Sequence, residues 1–157
     1  MNPTVYIETS IVSYLTARPS RDLIVAAHQQ ITHEWWRTVR PKVQCLISPY
    51  VIDEASQGDQ HAAQKRLEAV AGFPILTLNE EIKALALKYQ AAAQIPEKAK
   101  LDAFHLVFPA GHKIDYLLTW NYKHIANANV RKIIENLNRQ LNIHTPVICT
   151  PEEFMEV

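Results

Sequence analysis

Four polar side chains occupy positions where the chain could build a cation site. Glu8 directly follows the first predicted strand, and Asn121 directly follows a later one. Glu54 lies on a predicted short helix just past the second strand, and Asp102 lies near the start of another predicted helix. Since ligands of open parallel sheets bind beyond the carboxyl ends of the strands, these four side chains are candidates for a common pocket.

The chemistry expected of such a pocket is cation binding. Carboxylates brought together repel one another and take up protons unless a cation compensates their charge. Oxygen ligands of this kind favour Mg²⁺ or Mn²⁺ over zinc. Taken singly, each acid also has a simpler interpretation: Asp102 as an acid favoured at a helix start, Glu54 as a solvated side chain, and Glu8 as a charge at a strand end. Spacing alone leaves both interpretations open.

The elements that must position these residues alternate along the chain. Short apolar and β-branched runs predict strands over 4–7, 43–48, 74–78, 115–120 and 146–149. Amphipathic stretches predict helices over 11–15, 22–40, 49–56, 61–70, 79–93, from about 97 onward, and over 129–141. Strands separated by helices imply crossover connections, and hence an α/β fold: a three-layer α/β/α sandwich with a mostly parallel sheet. The length of 157 residues predicts a single domain over 1–157.

Two of the predicted helices contain specific features. In the helix over 22–40, Ser20 is the expected N-cap and Pro41 the stop, with an apolar face at Ile24, Ala27, Ile31 and Trp35. The adjacent Trp35 and Trp36 are interpreted as one core residue beside one half-exposed residue.

The helix that carries Asp102 should end or kink near Phe108, because Pro109 lacks a backbone donor. His105 lies one turn from Asp102, close enough to contact the site, and is interpreted as a core histidine with satisfied ring nitrogens.

Composition narrows the function classes. The chain has 16 basic and 16 acidic side chains, so no global positive field attracts a polyanion, and a local patch or a metal would have to hold one. Only three glycines are present, which excludes a glycine-rich phosphate loop. Cys45 and Cys149 are expected to be reduced core residues. With no signal-like segment and no long apolar run, the expected location is the cytoplasm, without membrane contact.

Four segments resemble the PIN-domain nucleases, the family of the VapC toxins of bacterial toxin-antitoxin pairs. They follow in the family's order and span almost the whole chain. The segments are Val5-Tyr6-Ile7-Glu8-Thr9-Ser10-Ile11-Val12, Ser48-Pro49-Tyr50-Val51-Ile52-Asp53-Glu54, Leu101-Asp102-Ala103-Phe104-His105-Leu106 and Leu117-Leu118-Thr119-Trp120-Asn121.

The resemblance implies a metal-dependent ribonuclease, in which Mg²⁺ or Mn²⁺ supports the hydrolysis of RNA phosphodiesters. It makes Glu8, Glu54 and Asp102 the metal ligands, with Ser10 steadying Glu8 and Asn121 completing the catalytic set. Lys98, Lys100 and Lys123 lie in flanking segments and are candidates to bind the RNA backbone, although solvated surface lysines are the alternative. The implied partners are RNA, an antitoxin protein and a second copy of the chain in a homodimer.

The chain departs from the family pattern at two positions, where Glu8 and Asn121 stand in place of the commoner Asp. The neutral amide weakens a second cation site, so one well-held metal is expected. The main alternative is a catalytically degenerate PIN-like module that binds RNA or protein. A phospho-acceptor signalling domain is a third class, and it is disfavoured because its acceptor position would here be Asn121.

Overall fold

The structure, a computed structural model, describes residues 2–155. Its strands are β1 (Thr4–Ile7), β2 (Gln44–Leu46), β3 (Tyr116–Leu118) and β4 (Val147–Cys149). Its helices are α1 (Thr9–Thr16), α2 (Leu23–Thr38), α3 (Pro49–Ala55), α4 (Gln60–Val70), α5 (Glu80–Ala92), α6 (Lys100–Gly111) and α7 (Ala128–Leu141), with 3-10 turns at Arg40–Lys42 and Glu97–Ala99.

The four strands form one parallel sheet in the order β2-β1-β3-β4. Successive side chains of a strand point to opposite faces, and Val5, Tyr6 and Ile7 of β1 are all fully buried, so both faces of the sheet are covered. The predicted α/β/α sandwich with a parallel sheet is confirmed. Because the strands are parallel, β1 and β3 bring the residues that follow them, Glu8 and Thr119, to the same edge.

The predicted strand over 74–78 is the main difference between the predicted and the observed secondary structure. The segment makes a single bridge between Ile75 and Ile47, with Leu76 N donating to the Ile47 carbonyl over 2.8 Å. Pro74 has no N–H to extend the ladder, and Ile75 is 56% exposed. The segment is therefore an extended edge next to β2.

The long helix α2 begins one residue later than predicted, and its predicted apolar face is buried at Trp35 but exposed at Ile24 and Ala27. Its N-cap is Asp22, whose carboxylate accepts from the backbone N–H groups of Ile24 and Val25, where Ser20 was expected. Ile24 is 69% exposed, because the first turn of α2 extends beyond the core. Trp35 is fully buried and Trp36 half-buried, as predicted.

The helix that carries Asp102 continues through Pro109. Helix α6 extends to Gly111, and its end is fixed by the His112 N–H donating to the Phe108 carbonyl over 3.0 Å. Pro109 removes one backbone donor, but the helix runs three residues past Phe108, so of the two predicted outcomes, an end or a kink, the end at Phe108 does not occur.

Both cysteines are buried and free, as predicted. Burial raises the pKa of Cys45 and of Cys149 to about 12, so both thiols remain protonated near neutral pH. They are packing residues of β2 and β4. Among residues 2–155, none of the helices has the length and apolar character that crossing a bilayer requires.

Candidate metal centre

Glu8 lies at the junction of β1 and α1 and is only 5% exposed. Its backbone is extended and it caps α1, with its Oε2 accepting from the Ser10 N–H over 3.1 Å. A glutamate in the N-cap position satisfies one of the donors left open at a helix start. The cap therefore fixes the carboxylate at the carboxyl edge of the sheet.

Two hydroxyl groups also bind the Glu8 carboxylate. Ser10 Oγ and Thr119 Oγ1 each donate to Glu8 Oε1 over 2.5 Å. Ser10 Oγ in turn accepts from the Trp120 N–H over 2.8 Å, which connects α1 to the end of β3. Ser10 is a residue predicted from the sequence, whereas Thr119 is not: the predicted strand over 115–120 included Thr119, and β3 ends one residue before it.

Glu54 reaches the same edge from α3, a helix that starts at Pro49 with Ser48 as its N-cap. Its side chain is 28% exposed. Glu54 Oε1 accepts from Thr9 Oγ1 over 2.7 Å and from His105 Nε2 over 2.5 Å. Its Oε2 accepts no hydrogen bond within residues 2–155, so one oxygen remains available to a cation.

His105 is fully buried on α6, and both of its ring nitrogens are bonded. His105 Nδ1 lies 2.7 Å from the Tyr6 hydroxyl, and the Tyr6 oxygen lies 2.7 Å from Ser48 Oγ. When the ring is protonated, both of its nitrogens donate, one to Tyr6 and the other to Glu54. The expected core histidine is confirmed. The same ring also contacts Glu54, an acid of the candidate site. A contact between His105 and the site was the second possibility predicted from its place one turn after Asp102.

The contact between Glu54 and His105 shifts the pKa of each group in the direction that favours the ionised pair. Burial raises the pKa of Glu54, but the hydrogen bond and charge of His105, together with Thr9, outweigh it and hold that pKa below its ordinary value. Burial lowers the pKa of His105, but the Glu54 hydrogen bond and the nearby Glu8, Glu54 and Asp102 carboxylates raise it overall.

The carboxylates of Glu8 and Glu54 and the imidazole of His105 form the candidate metal cluster. One ligand atom from each lies within 4.8 Å of the other two, close enough for a single ion. The two carboxylates are suitable oxygen donors for a divalent cation, and the His105 ring, bonded through Nε2 to Glu54, holds one of them in place. The hydroxyls of Thr9, Ser10 and Thr119 hold the two acids in place, which is the role of outer-shell partners in metal sites.

Asp102 and Asn121 lie outside this cluster but are connected to it. Asp102 Oδ2 accepts from His124 Nδ1 over 2.8 Å, and Asn121 Oδ1 accepts from the His124 N–H over 3.1 Å. The Asn121 N–H donates to Thr119 Oγ1 over 2.9 Å, and Thr119 contacts Glu8. No local sequence pattern predicts the contact between His124 and Asp102, because the two residues are 22 positions apart.

The three candidate lysines are all exposed. Lys100 forms a surface ion pair with Glu97 over 3.5 Å, and neither Lys98 nor Lys123 forms an ion pair in the described part of the chain. Since exposed pairs of this kind contribute little to stability, all three amines are free to rearrange around an anionic ligand.

Comparisons with known proteins give a structural likeness. No family model matches the sequence, and a search of curated protein sequences gives no match. A chain in the crystal structure of VapBC2 from Rickettsia felis, bound to a DNA fragment from their promoter, is similar with a TM-score of 0.58. The alignment covers 94% of this chain and 98% of that chain at 11% identity. The likeness shows the fold.

Proposed function

We propose that this protein is a metal-dependent ribonuclease that hydrolyses phosphodiester bonds of RNA endonucleolytically. The observation that carries the proposal is the approach of Glu8 and Glu54, with His105, to within 4.8 Å at the carboxyl edge of a parallel sheet. The fold likeness to a chain of VapBC2 supports it, as does the resemblance of four sequence segments to PIN-domain nucleases.

In this proposal Mg²⁺ or Mn²⁺ is held by Glu8, Glu54 and Asp102, with Asn121 near the same site. When bound, the cation would activate water and neutralise charge on the phosphoryl oxygens. Glu54 offers its unbonded Oε2, while Ser10 and Thr119 fix Glu8. Asp102 is 17% exposed and can reorient from His124 to position water or metal.

The substrate contacts proposed for this reaction come from side chains around the pocket. Ser10 orients Glu8, and the exposed amines of Lys98, Lys100 and Lys123 bind the RNA backbone on either side. Since the chain as a whole has no net charge, such local amines and the metal must provide most of the attraction for RNA.

The proposed partners follow from the same comparison. An antitoxin protein is proposed because the similar structure is a VapBC2 complex, and the proposed location is the cytoplasm. A homodimer is proposed through the first turn of α2, where Leu23 is 86% and Ile24 69% exposed.

The test is cleavage of labelled single-stranded RNA by purified protein with Mg²⁺ or Mn²⁺, compared with the same reaction in EDTA. Glu54→Gln should remove cleavage, because it replaces a charged metal ligand with a neutral group of the same size. The matched control is Asp53→Asn, which neutralises the adjacent, exposed acid of α3 and should leave cleavage unchanged. Metal-independent cleavage, or full activity of Glu54→Gln, would reject the proposal.

A second candidate is a catalytically degenerate PIN-like module that binds RNA or protein. It is favoured by one observation: each acid already accepts internal hydrogen bonds, including those from His105 to Glu54 and from His124 to Asp102. In that case the purified protein would bind its partner in EDTA as well as in metal, and would cleave no RNA in either.

A further inference from the structure

Four aromatic side chains form a cluster next to the candidate metal site: Tyr14, His28, Trp120 and Tyr122, called here the aromatic cluster. The rings of His28 and Trp120 stack at 4.1 Å with planes 12° apart. Tyr14 stacks beside them, 6.1 Å from Trp120 and 18° from its plane. Tyr122 contacts His28 and Trp120 with tilted rings at 5.9 and 6.2 Å.

The aromatic cluster is bonded directly to the residues that hold Glu8. The Trp120 N–H donates to Ser10 Oγ over 2.8 Å, and Ser10 Oγ donates to the Glu8 carboxylate. Tyr122 follows Thr119, the other hydroxyl on Glu8, by only three residues, a separation of about 11 Å or less between Cα atoms. A strand of RNA with a phosphate at Glu8 would thus pass its adjacent nucleotides close to Tyr122.

The inner rings are rigid and the outer ring is accessible. Trp120 is 3% exposed, and its Nε1–H donates to the buried Thr32 hydroxyl over 2.7 Å. Tyr14 and His28 are half-buried, and Tyr122 is 48% exposed. An exposed tyrosine supported from beneath by a fixed stack loses little conformational freedom when another ring stacks on it.

Charged groups of both signs lie near Tyr122. Burial and the nearby Glu152 and Glu153 carboxylates raise the pKa of Tyr122, while Arg131 lowers it. Arg131 also forms an ion pair with Glu153 over 3.1 Å. Stacking needs a free base face, which single strands offer and duplexes do not.

We propose that Tyr122, supported by the other rings of the aromatic cluster, stacks on an unpaired nucleobase of single-stranded RNA next to the phosphate bound at the metal site. The inference rests on the proposed ribonuclease function and assigns to Tyr122 the nucleobase contact next to its metal site.

The test measures binding apart from cleavage. A fluorescein-labelled decamer of oligouridylate is titrated with the protein in Mg²⁺ at 4 °C, and the length of the decamer is checked on a gel afterwards. The proteins are wild type, Tyr122→Ala, Tyr122→Phe and the control Leu87→Ala, which removes a 70% exposed side chain from α5. Tyr122→Ala should weaken binding by about 5-fold or more, the effect of losing one stacked base. Tyr122→Phe keeps the ring and should bind like wild type, as should Leu87→Ala.

A second titration uses the same decamer with abasic nucleotides at its three central positions. Wild type should bind the abasic decamer more weakly than the intact one. Tyr122→Ala should bind the two decamers equally, because the substitution and the abasic nucleotides remove the same stack. Equal binding of the intact and abasic decamers by wild type would overturn the inference, as would equal weakening by Tyr122→Ala and Tyr122→Phe, which would indicate a hydroxyl contact.

The two proposals fail in different ways. If wild type cleaves RNA in metal while Tyr122→Ala binds the decamer as tightly as wild type, the stacking inference is wrong and the ribonuclease proposal stands. If binding depends on Tyr122 but no cleavage occurs in metal, the stacking inference stands and the ribonuclease proposal fails. A wild-type protein that binds no decamer would overturn the stacking inference.

Discussion

Each of the two edges of the sheet has an acid next to a central strand. The acid at one edge is exposed to solvent, and the acid at the other edge is buried. At the amino edge, Asp115 immediately precedes β3 and is exposed, and its Oδ2 accepts from the Thr4 N–H over 2.9 Å and from the Thr4 hydroxyl over 3.0 Å. At the carboxyl edge, Glu8 immediately follows β1, is 5% exposed, and lies close to a second carboxylate on Glu54.

The difference shows what separates a structural acid from a candidate ligand. Asp115 is a single charge in contact with water, and its bonds to Thr4 join the starts of β1 and β3 and lower its pKa. Glu8 and Glu54 share a partly dry pocket, in which the His105 ring bonds to Glu54. At the carboxyl edge, a bound cation would therefore relieve the repulsion between the Glu8 and Glu54 carboxylates. At the amino edge, the single carboxylate of Asp115 has no such repulsion to relieve.

The largest expected effect is on catalysis, from Asp102→Asn. The amide can still accept from His124, so folding should persist, while metal-dependent RNA cleavage should fall by about 100-fold or more. Asp115→Asn is the matched change at the other edge and should leave the rate unchanged. Single-turnover cleavage with thermal unfolding as the folding control checks both, and a wild-type rate for Asp102→Asn would refute its assignment.

Glu8→Asp probes the fit of the longer side chain. Glu8 reaches the Ser10 and Thr119 hydroxyls at 2.5 Å, and a side chain one methylene shorter would displace the carboxylate by about an ångström. Cleavage should fall roughly 10- to 100-fold, the cost of such a misplacement. The rate constant at saturating metal measures it; an increase from a low baseline would indicate instead a degraded nuclease.

Metal should stabilise the folded protein through the carboxyl edge alone. Binding that requires the native arrangement adds about 2.7 kcal/mol at 100 times the dissociation constant, which for a chain of this size raises Tm by about 5 to 10 °C. Asp115→Asn should keep this shift and Glu54→Gln should lose it. Thermal unfolding in EDTA, Mg²⁺ and Mn²⁺ provides the comparison, and an unchanged wild-type midpoint in both metals would argue against a preformed site.

The pair of Glu54 and His105 should make stability pH-dependent in the absence of metal. His105 has a pKa raised above 6.5, so its stabilisation is complete below pH 6.5 and is lost as pH rises through the folded-state pKa. Glu54 has a pKa lowered below 4.5, so its stabilisation is complete above pH 4.5 and is lost as pH falls through the folded-state pKa.

The measurement is the free energy of unfolding in EDTA for wild type minus Glu54→Gln, from pH 3 to 9. The difference should be most favourable to wild type between pH 4.5 and 6.5 and decline on both sides. A difference that grows from pH 6.5 to pH 8 would contradict the raised pKa of His105.

The smallest effect is expected from Asp115→Asn on stability. The acid is exposed and its bonds to Thr4 compete with water, so the loss should be about 1 kcal/mol or less. Urea unfolding should show a slightly lower midpoint with an unchanged slope. If Asp115→Asn instead lowered the free energy of unfolding by several kcal/mol, the contacts of Asp115 at the amino edge would be much more important for stability than proposed here.

The sequence by itself determined the order of strands and helices and the location of the core. Local patterns such as Val5-Tyr6-Ile7 predict a strand buried on both faces, and the predicted parallel sheet with helices on both sides is what the structure shows. The same local patterns failed where packing intervened: the segment over 74–78 remained a single bridge at an edge, and Ile24 of α2 stayed exposed.

Only the tertiary structure decided which side chains surround each candidate acid. Thr9 and Glu54 are 45 residues apart, His105 and Glu54 are 51 apart, and Thr119 and Glu8 are 111 apart. Periodicity reports on neighbours within a few turns of a helix or along a strand, so it contains no signal for such distant pairs. The candidate acids could be predicted from their positions relative to the strands. Their partners could not, because the packing of the helices on the sheet sets the distances at the carboxyl edge.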